Sequence, residues 1–322
     1  MRAKLTLLVA GSATWFTAQG VATGQDIGRA EAQYQSACDA RTSSACTHLG
    51  EMAMRGDGVP RDDVRAVAFL EKGCAGGSTE GCIDLAFMLE QGRGVPQNLA
   101  RAVLLFQQAC DKGNVLGCTD LGFMYRNGRG VTQDEAFAAT LYQKACDGGN
   151  VLACADLGFL FQNGRGVAQD DQRAVALYQK SCEEGGNLGC TNWGFMFQSG
   201  RGVAQDDARA VALYQRGCDA GNGLGCTDLG FMFAEGRGTP QDLAKAATLY
   251  EKGCDGGVGL GCTDLGLMVE QGRGVTKDAD RARMLYERAC KAGDQSGCDN
   301  EKRLGGGITV PGHSIKYDFV AS

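Results

Sequence analysis

The chain has 322 residues, a formal net charge of −6 at pH 7 and a pI near 5.1. Binding to nucleic acid generally needs a basic face, so this acidic balance argues against a nucleic-acid partner. The sequence contains no uninterrupted apolar run of about 20 residues, and it therefore predicts no membrane-spanning helix.

The first 24 residues have the pattern of a secretory signal. Two basic residues near the start are followed by a mostly apolar or small segment at 5–16. Small residues that suit signal-peptide cleavage stand at 22–24, and a second candidate site stands at 18–20. We therefore expect an exported protein, either periplasmic or secreted, with a mature chain that begins near residue 25.

Sixteen cysteines follow this segment, and the distance from each to the next alternates between eight and twenty-eight residues without exception. The period is therefore 36 residues. A fixed period in the range of about 20–50 residues is typical of a stacked repeat array. Because an exported chain with many cysteines is usually oxidised, the spacing also predicts disulfide bonds in every repeat.

A single repeat predicts two helices joined by a tight loop. In the first, called helix A, Cys118, Leu121 and Tyr125 fall on one helical stripe. The glycines of the loop at 128–131 end helix A and supply the left-handed backbone of a tight reversal. Asp134 then suits the first turn of the next helix, because its side chain accepts hydrogen bonds from free N–H groups there.

The second helix, called helix B, carries Ala138, Leu141, Tyr142 and Cys146 at helical spacing. A small residue at the crossing of two helices allows them to approach closely. The alanine at this place recurs in every repeat, at Ala66, Ala102, Ala138, Ala174, Ala210, Ala246 and Ala282.

The recurring pattern resembles the Sel1-like repeat, in the form L-G-x-x-[YF], then G-x-G-V, an Asp, an Ala and [LY]-x-K-A. It is closer still to the cysteine-rich Hcp branch of that family, which places a cysteine pair in every repeat. The resemblance covers about residues 27–304. It implies an all-α fold, a right-handed α-solenoid superhelix of antiparallel helix pairs related to the tetratricopeptide architecture.

The predicted organisation is a signal peptide at 1–24, a repeat solenoid at 25–304 and a flexible tail at 305–322. A lone helix B at about 27–38 is expected before the full repeats, and a lone helix A at about 297–304 is expected after them. The seven full repeats are predicted at 44–79, 80–115, 116–151, 152–187, 188–223, 224–259 and 260–295.

Cysteine pairing follows from the expected hairpins. Cys110 ends a helix B and Cys118 begins the next helix A, and a helical hairpin brings two such positions within the Cα separation that a disulfide needs. Pairing across the twenty-eight-residue spacing is the weaker alternative. The predicted bonds, which fasten each repeat to the next, are Cys38–Cys46, Cys74–Cys82, Cys110–Cys118, Cys146–Cys154, Cys182–Cys190, Cys218–Cys226, Cys254–Cys262 and Cys290–Cys298.

A metal or redox role for the cysteines has little support in the sequence. Zinc sites usually place cysteines two to four residues apart, and the chain has only two histidines, His48 and His313. The sequence also lacks a Cys-x-x-Cys motif. We therefore expect neither a metal nor a cofactor.

One enzymatic alternative comes from the resemblance alone, because some Hcp proteins are described as penicillin-binding or β-lactamase-like. A serine β-lactamase needs a Ser-x-x-Lys pair, and the mature chain contains none. We therefore expect no catalytic residue and a binding protein rather than an enzyme. A β-lactam-binding or β-lactamase-like protein of the Hcp type stays as the alternative function.

The predicted binding surface consists of three rows on helix A. Counting about 100° per residue from the first cysteine of each helix A, the second, fifth and ninth positions lie opposite the core stripe. In superhelices of the resembled family the A helices line the concave surface, so these rows would line a groove. The predicted partner-binding residues are Asp84, Phe87, Asp120, Phe123, Asn127, Asp156, Phe159, Asn163, Asn192, Phe195, Asp228, Phe231 and Asp264.

Aromatic anchors beside hydrogen-bonding groups suit a peptide groove, and the acidic row favours a basic partner. The sequence therefore predicts an exported scaffold or adaptor that binds a protein or peptide. Two alternatives stay open. Each phenylalanine either faces a partner or packs against the neighbouring helix A as part of the core. The tail at 305–322 carries apolar residues at Ile308, Val310, Ile315, Tyr317, Phe319 and Val320, and it either occupies a groove of its own or a neighbouring molecule, or is disordered.

Overall fold

A computed structural model of the protein describes residues 24–305. The expectations for the signal segment at 1–23 and for the tail at 306–322 lie outside the described residues. Within 24–305 the chain forms sixteen α-helices and no strand. Their bounds are α1 Gly24–Asp39, α2 Ser43–Arg55, α3 Asp63–Ala75, α4 Thr79–Gln91, α5 Leu99–Asp111, α6 Val115–Asn127, α7 Glu135–Asp147, α8 Val151–Asn163, α9 Asp171–Glu183, α10 Asn187–Ser199, α11 Asp207–Asp219, α12 Gly223–Glu235, α13 Leu243–Asp255, α14 Gly259–Gln271, α15 Ala279–Lys291 and α16 Gln295–Gly305.

The helices fall into two compact units, one that ends at Gln97 and one that begins at Asn98. The first unit contains α1–α4, and the second contains α5–α16. Within each unit every helix packs against the next one in sequence. Even-numbered helices correspond to the predicted A helices and odd-numbered ones to the B helices, and α1 and α16 lie where the half-repeats are expected.

Local backbone chemistry sets the helix ends where the repeat pattern predicts them. Helix A of the third repeat, α6, ends at Gly128, which adopts the left-handed conformation with φ 63°. Helix B, α7, begins after Asp134, whose side chain accepts a 2.8 Å hydrogen bond from the backbone N–H of Phe137. Each of these two helices has thirteen residues, which is long enough for its buried residues to pack against the helices before and after it.

The core of each repeat in the second unit is a tyrosine ring on helix B that lies against a glycine on helix A. Tyr178 is fully buried, and a Cβ atom added to Gly158 would lie 2.7 Å from the Tyr178 Cε1 atom. Only a residue without a side chain allows the two helices this separation. The glycine–tyrosine contacts of the second unit are Gly122–Tyr142, Gly158–Tyr178, Gly194–Tyr214, Gly230–Tyr250 and Gly266–Tyr286.

The alanine predicted at the helix crossing is fully buried in all seven repeats. The phenolic groups at the core also find partners where the repeat provides one. Tyr178 donates a 2.6 Å hydrogen bond to Gln162 Oε1, and Tyr286 donates a 2.7 Å bond to Glu270 Oε2. A buried hydroxyl that is satisfied in this way adds to the specificity of the packing.

All eight predicted disulfides are present, with Cα–Cα separations of 4.5–4.7 Å. Each bond joins the last turn of a helix B to the first turn of the next helix A. The described part of the chain contains no free cysteine. None of the helices between residues 24 and 305 is long and apolar enough to cross a membrane.

Loop arginines form a further set of contacts between consecutive repeats. The arginine of the Gly-x-Gly loop reaches back to an acidic residue in the first turn of the preceding helix B, where the helix dipole already favours a carboxylate. Each arginine follows its partner by thirty residues. The pairs are Arg93–Asp63, Arg165–Glu135, Arg201–Asp171 and Arg237–Asp207.

The glycine–tyrosine contact predicts an unusual response to alanine. In a helix interior Gly→Ala normally gains about 1 kcal/mol of helix propensity. We expect Gly158→Ala instead to reduce the free energy of unfolding by about 1–3 kcal/mol, because the new methyl group collides with a ring that has no room to move. Thermal or guanidinium unfolding with the disulfides intact measures this change.

A double-mutant cycle provides the control for this prediction. In a Tyr178→Leu background the alanine meets a smaller side chain, so Gly158→Ala should cost less than it does in the wild type. An alanine that stabilises the wild-type protein, or a cost unaffected by Tyr178→Leu, would show that the close contact does not limit the packing.

The disulfides predict a second measurable effect. Replacing Cys146 and Cys154 together with alanine opens a short covalent loop, and chain entropy then favours the unfolded state by about 2–3 kcal/mol. We expect a lower melting temperature, with far-ultraviolet circular dichroism that remains helical. An unchanged melting temperature would contradict the assignment of this bond as a stabilising link.

Candidate functional site

The three predicted rows lie on the even-numbered helices and are named here the A-helix face, which consists of the thirteen predicted partner-binding residues. Asp84 and Phe87 lie on α4 in the first unit. The other eleven lie on α6, α8, α10, α12 and α14 of the second unit. In the second unit α8 contacts α10, α10 contacts α12, and α12 contacts α14, so residues of neighbouring repeats lie side by side.

The phenylalanine row is exposed in the earlier repeats and half-buried in the later ones. Phe87 is 41% exposed and Phe123 is 37% exposed. Phe159, Phe195 and Phe231 are half-buried, and Phe231 packs against the hydrophobic core of its unit. The two interpretations of this row therefore apply to different repeats: an accessible aromatic surface at Phe123 and a contribution to inter-repeat packing at Phe231.

Arginine side chains flank the accessible phenylalanines. The guanidinium carbons of Arg126 and Arg129 lie 5.6 Å and 5.8 Å from the centre of the Phe123 ring. Arg165 lies 5.7 Å from the ring centre of Phe159. These distances are within the range of cation–π attraction. The aromatic rings are thus held beside guanidinium groups, and those of Arg126 and Arg165 are themselves paired with the carboxylates of Asp156 and Glu135.

The sequence-based prediction of the binding surface contains no arginine and does not connect the loop arginines with the aromatic row. A signal was available, since the loop arginine follows the phenylalanine of its own helix A by six residues in every repeat that carries one. Six residues place the loop side chain beyond the end of the helix, and its turn back toward the ring depends on the left-handed glycine between them. Only the folded loop shows this turn.

The acidic row differs from its expected exposure. Asp228 and Asp264 are buried, with 9% and 6% of their surface exposed, and the other members of the row are half-buried. The reason is that the second position of helix A points toward the neighbouring helix A rather than outward. Helix α12, which carries Asp228, contacts both α10 and α14, and this packing of neighbouring A helices accounts for the loss of exposure.

Burial changes the acidity of this row. Burial raises the pKa of Asp228 to about 7. Burial, followed by the charges of Asp294 and Asp228, raises the pKa of Asp264 to about 8. In the first unit burial and the neighbouring Glu51 raise the pKa of Asp84 to about 6. Loss of hydration disfavours the charged carboxylate, so part of the row is protonated near neutral pH.

One carboxylate of the row has a cation supplied by the preceding repeat. Arg126 Nη1 on α6 donates a 2.7 Å hydrogen bond to Asp156 Oδ1 on α8. Burial still raises the pKa of Asp156, and the Arg126 guanidinium lowers it. This ion pair shows how a buried carboxylate on the A-helix face is satisfied when a basic group reaches it.

The asparagine side chains of the third row form hydrogen bonds within their own helices. The Nδ2 atoms of Asn127 and Asn163 each donate a 2.8 Å hydrogen bond to the backbone carbonyl of the phenylalanine one turn earlier. Both side chains are exposed. The bond holds the amide along the helix and leaves its oxygen atom as the available acceptor.

The side chains on and around the A-helix face define the chemistry that is available there. Among the described residues no group of three or more His, Cys, Asp or Glu side chains is arranged to hold a metal ion. His48 is an exposed side chain on α2, with Nδ1 3.8 Å from Glu51. The features that the structure brings together are aromatic rings, guanidinium groups and buried carboxylates.

Two solved structures share the fold over most of the chain. A protective antigen of uropathogenic Escherichia coli with an SLR fold matches 89% of this chain at 28% identity and a TM-score of 0.67. The match covers 62% of that protein, so this chain spans less than two thirds of its length. A Sel1 repeat protein from Oxalobacter formigenes matches 89% of this chain and 83% of its own at 26% identity, also with a TM-score of 0.67.

The cysteine-rich protein B of Helicobacter pylori matches over a shorter span, with 26% identity, 42% of this chain, 98% of its own and a TM-score of 0.35. A search of curated proteins gives no match. The family model described as Sel1 repeat matches seven consecutive segments, each beginning one residue before the predicted boundary: 43–78, 79–114, 115–150, 151–186, 187–222, 223–258 and 259–294. The repeats that the cysteine spacing and the helix pairs define are thus Sel1 repeats, and the chain belongs to the Sel1 repeat family.

Proposed function

We propose that the protein is an exported scaffold that binds a protein or peptide partner through the A-helix face. The observation that carries this proposal is the exposure of Phe123 beside two guanidinium groups. An exposed aromatic ring held rigidly among polar neighbours is the composition of an interaction hot spot. Its recurrence one repeat apart would give an extended partner several anchor points.

The polar groups around the rings support the same proposal. Asn127 and Asn163 present side-chain oxygen atoms beside the aromatic row, where a peptide N–H group would find an acceptor. The buried carboxylates offer sites for basic groups of a partner, while the arginines favour its acidic groups or carbonyls. A surface of this kind discriminates among partners by the placement of charge rather than by apolar area alone.

Export is supported by the cysteine chemistry. Eight disulfides persist only where the environment is oxidising, such as the periplasm or the extracellular space. In a reducing cytoplasm the sixteen cysteines would be thiols, and the covalent links between consecutive repeats would be lost. The proposal therefore connects the fold to its compartment through these bonds.

Partner capture tests the proposed face. The variant Phe123→Ala, Phe159→Ala, Phe195→Ala removes three rings from the A-helix face. We expect a partner that is cross-linked to the wild-type protein in an extract of the producing cells to be lost from this variant. The reason is that truncation of central aromatic anchors typically costs about 2 kcal/mol or more each.

A control variant removes three exposed apolar side chains from the B helices. Leu104, Phe137 and Met284 are 68%, 37% and 56% exposed. The variant Leu104→Ala, Phe137→Ala, Met284→Ala should retain the partner. Both variants must still melt cooperatively. Loss of the partner from the control but not from the first variant would move the binding surface to the B helices.

A further inference from the structure

A pocket lies among α12, α13 and α14, beside the loop that follows α14. Asp264 on α14 forms part of its wall, is 94% buried, and has an Oδ2 atom with no hydrogen-bond partner in the structure. A buried carboxylate oxygen without a donor is costly, so the site favours a group that can donate to it. The other residues that line the pocket are Ala234, Glu235, Tyr250, Leu267, Met268 and Arg273.

The repeat architecture contains an occupied version of the same site. Three repeats earlier, at a distance of 108 residues, Arg126 stands at the position of Ala234 and Asp156 stands at the position of Asp264. There the guanidinium of Arg126 donates a 2.7 Å hydrogen bond to Asp156 and lies 5.9 Å from the centre of the Tyr142 ring. At the later site the side chain of Ala234 ends at Cβ and cannot reach the carboxylate.

The remaining repeats of the second unit also place a long polar side chain at this position. Gln162 accepts a hydrogen bond from Tyr178, and Gln198 accepts one from Tyr214. Glu270 accepts a bond from Tyr286 and pairs with Arg303. Along α6, α8, α10, α12 and α14, Ala234 is the only residue at this position that ends at Cβ. The pocket occupies the space that the longer side chains fill elsewhere.

We propose that the pocket beside Asp264 binds the guanidinium group of an arginine side chain from a partner peptide, in the place that Arg126 fills from within the chain. The inference rests on the proposed function, because it names the chemistry recognised at one point of the A-helix face. Charge supports it once Asp264 is ionised, because Asp264 and Glu235 line the pocket and Arg273 is the one cationic residue among those that line it. Tyr250 lines the pocket at the position that Tyr142 holds in the earlier repeat, where the Arg126 guanidinium carbon lies 5.9 Å from the ring centre.

The titration of Asp264 gives this site a pH signature. Burial, followed by the Asp294 and Asp228 carboxylates, raises the pKa of Asp264 to about 8. An arginine ligand stays charged over this whole range, so its affinity follows the ionisation of the carboxylate. The affinity should rise as the pH increases through about 8 and should level off only well above that value. The other titratable or charged groups that line the pocket are Glu235 on α12, Tyr250 on α13 and Arg273 in the loop after α14, and the charges of Asp228 on α12 and Asp294 before α16 also act on Asp264.

The test uses the full chain and two small probes. N-acetyl-L-arginine amide carries the guanidinium, and N-acetyl-L-citrulline amide has the same shape without the charge. We expect the arginine probe to give saturable NMR shift changes at the backbone amides of Ala234, Asp264 and Leu267. The citrulline probe should bind at least about tenfold more weakly, because its bonds to the carboxylate lack the charge.

Two variants test the site in independent ways. Asp264→Asn removes the charge with little change of shape, and Ala234→Arg supplies an internal guanidinium that competes for the carboxylate. Both should abolish the shift changes. Ala208→Arg adds the same charge at an exposed position of α11 and should leave the binding unchanged. Unaltered binding in Asp264→Asn or Ala234→Arg, or equal binding of citrulline, overturns the proposal.

The variant Arg273→Ala excludes the occupant that the chain itself could provide. If the arginine probe binds only after this substitution, Arg273 is the native partner of Asp264, and the proposal is overturned. The proposal is supported if the wild-type protein binds the arginine probe with an affinity similar to, or lower than, that of the Arg273→Ala variant. The arginine probe needs only the pocket, whereas partner capture depends on the phenylalanines. If the probe does not bind but the partner is still captured in a phenylalanine-dependent way, this inference is wrong and the proposed function stands.

Discussion

The contact between a glycine of helix A and a tyrosine ring of helix B determines the separation of the two helices, and the other contacts depend on that separation. Because Gly158 has no Cβ atom, the Tyr178 ring can lie in the space that a side chain at this position would fill. With the helices this close, the disulfide of Cys146 and Cys154 joins one hairpin to the next without displacing either. The outward rows of helix A then take a fixed spacing, which a binding surface with several anchors requires.

The features that the sequence predicted are those set by local geometry. The left-handed conformation at Gly128 and the cap at Asp134 depend on residues within one loop. The pairing of Cys110 with Cys118 depends on a single hairpin. In each case the residue type strongly restricts the local backbone conformation or the choice of cysteine partner. The strict period of 36 residues repeats these restrictions along the chain, so all of them favour the same fold.

The features that the sequence did not predict depend on how neighbouring A helices face each other. A helical wheel drawn for one helix places Asp228 on the solvent side, whereas packing between α10 and α14 buries it. The pairing of Arg126 with Asp156 likewise joins two helices thirty residues apart. Comparison of position with position across repeats would have revealed this spacing, and it would also have shown that Ala234 interrupts the row of long side chains.

Under the proposed function the two helices of each repeat have opposite roles: helix B completes the core, and helix A would carry the binding surface. Hydrogen–deuterium exchange of the protein with and without its captured partner measures which helices the partner protects. Added protection should be concentrated in α6, α8, α10, α12 and α14 and in the arginine loops that follow them. Protection concentrated in α7, α9, α11 and α13 would exclude the A-helix face as the binding surface, because the partner would then contact the helices that complete the core.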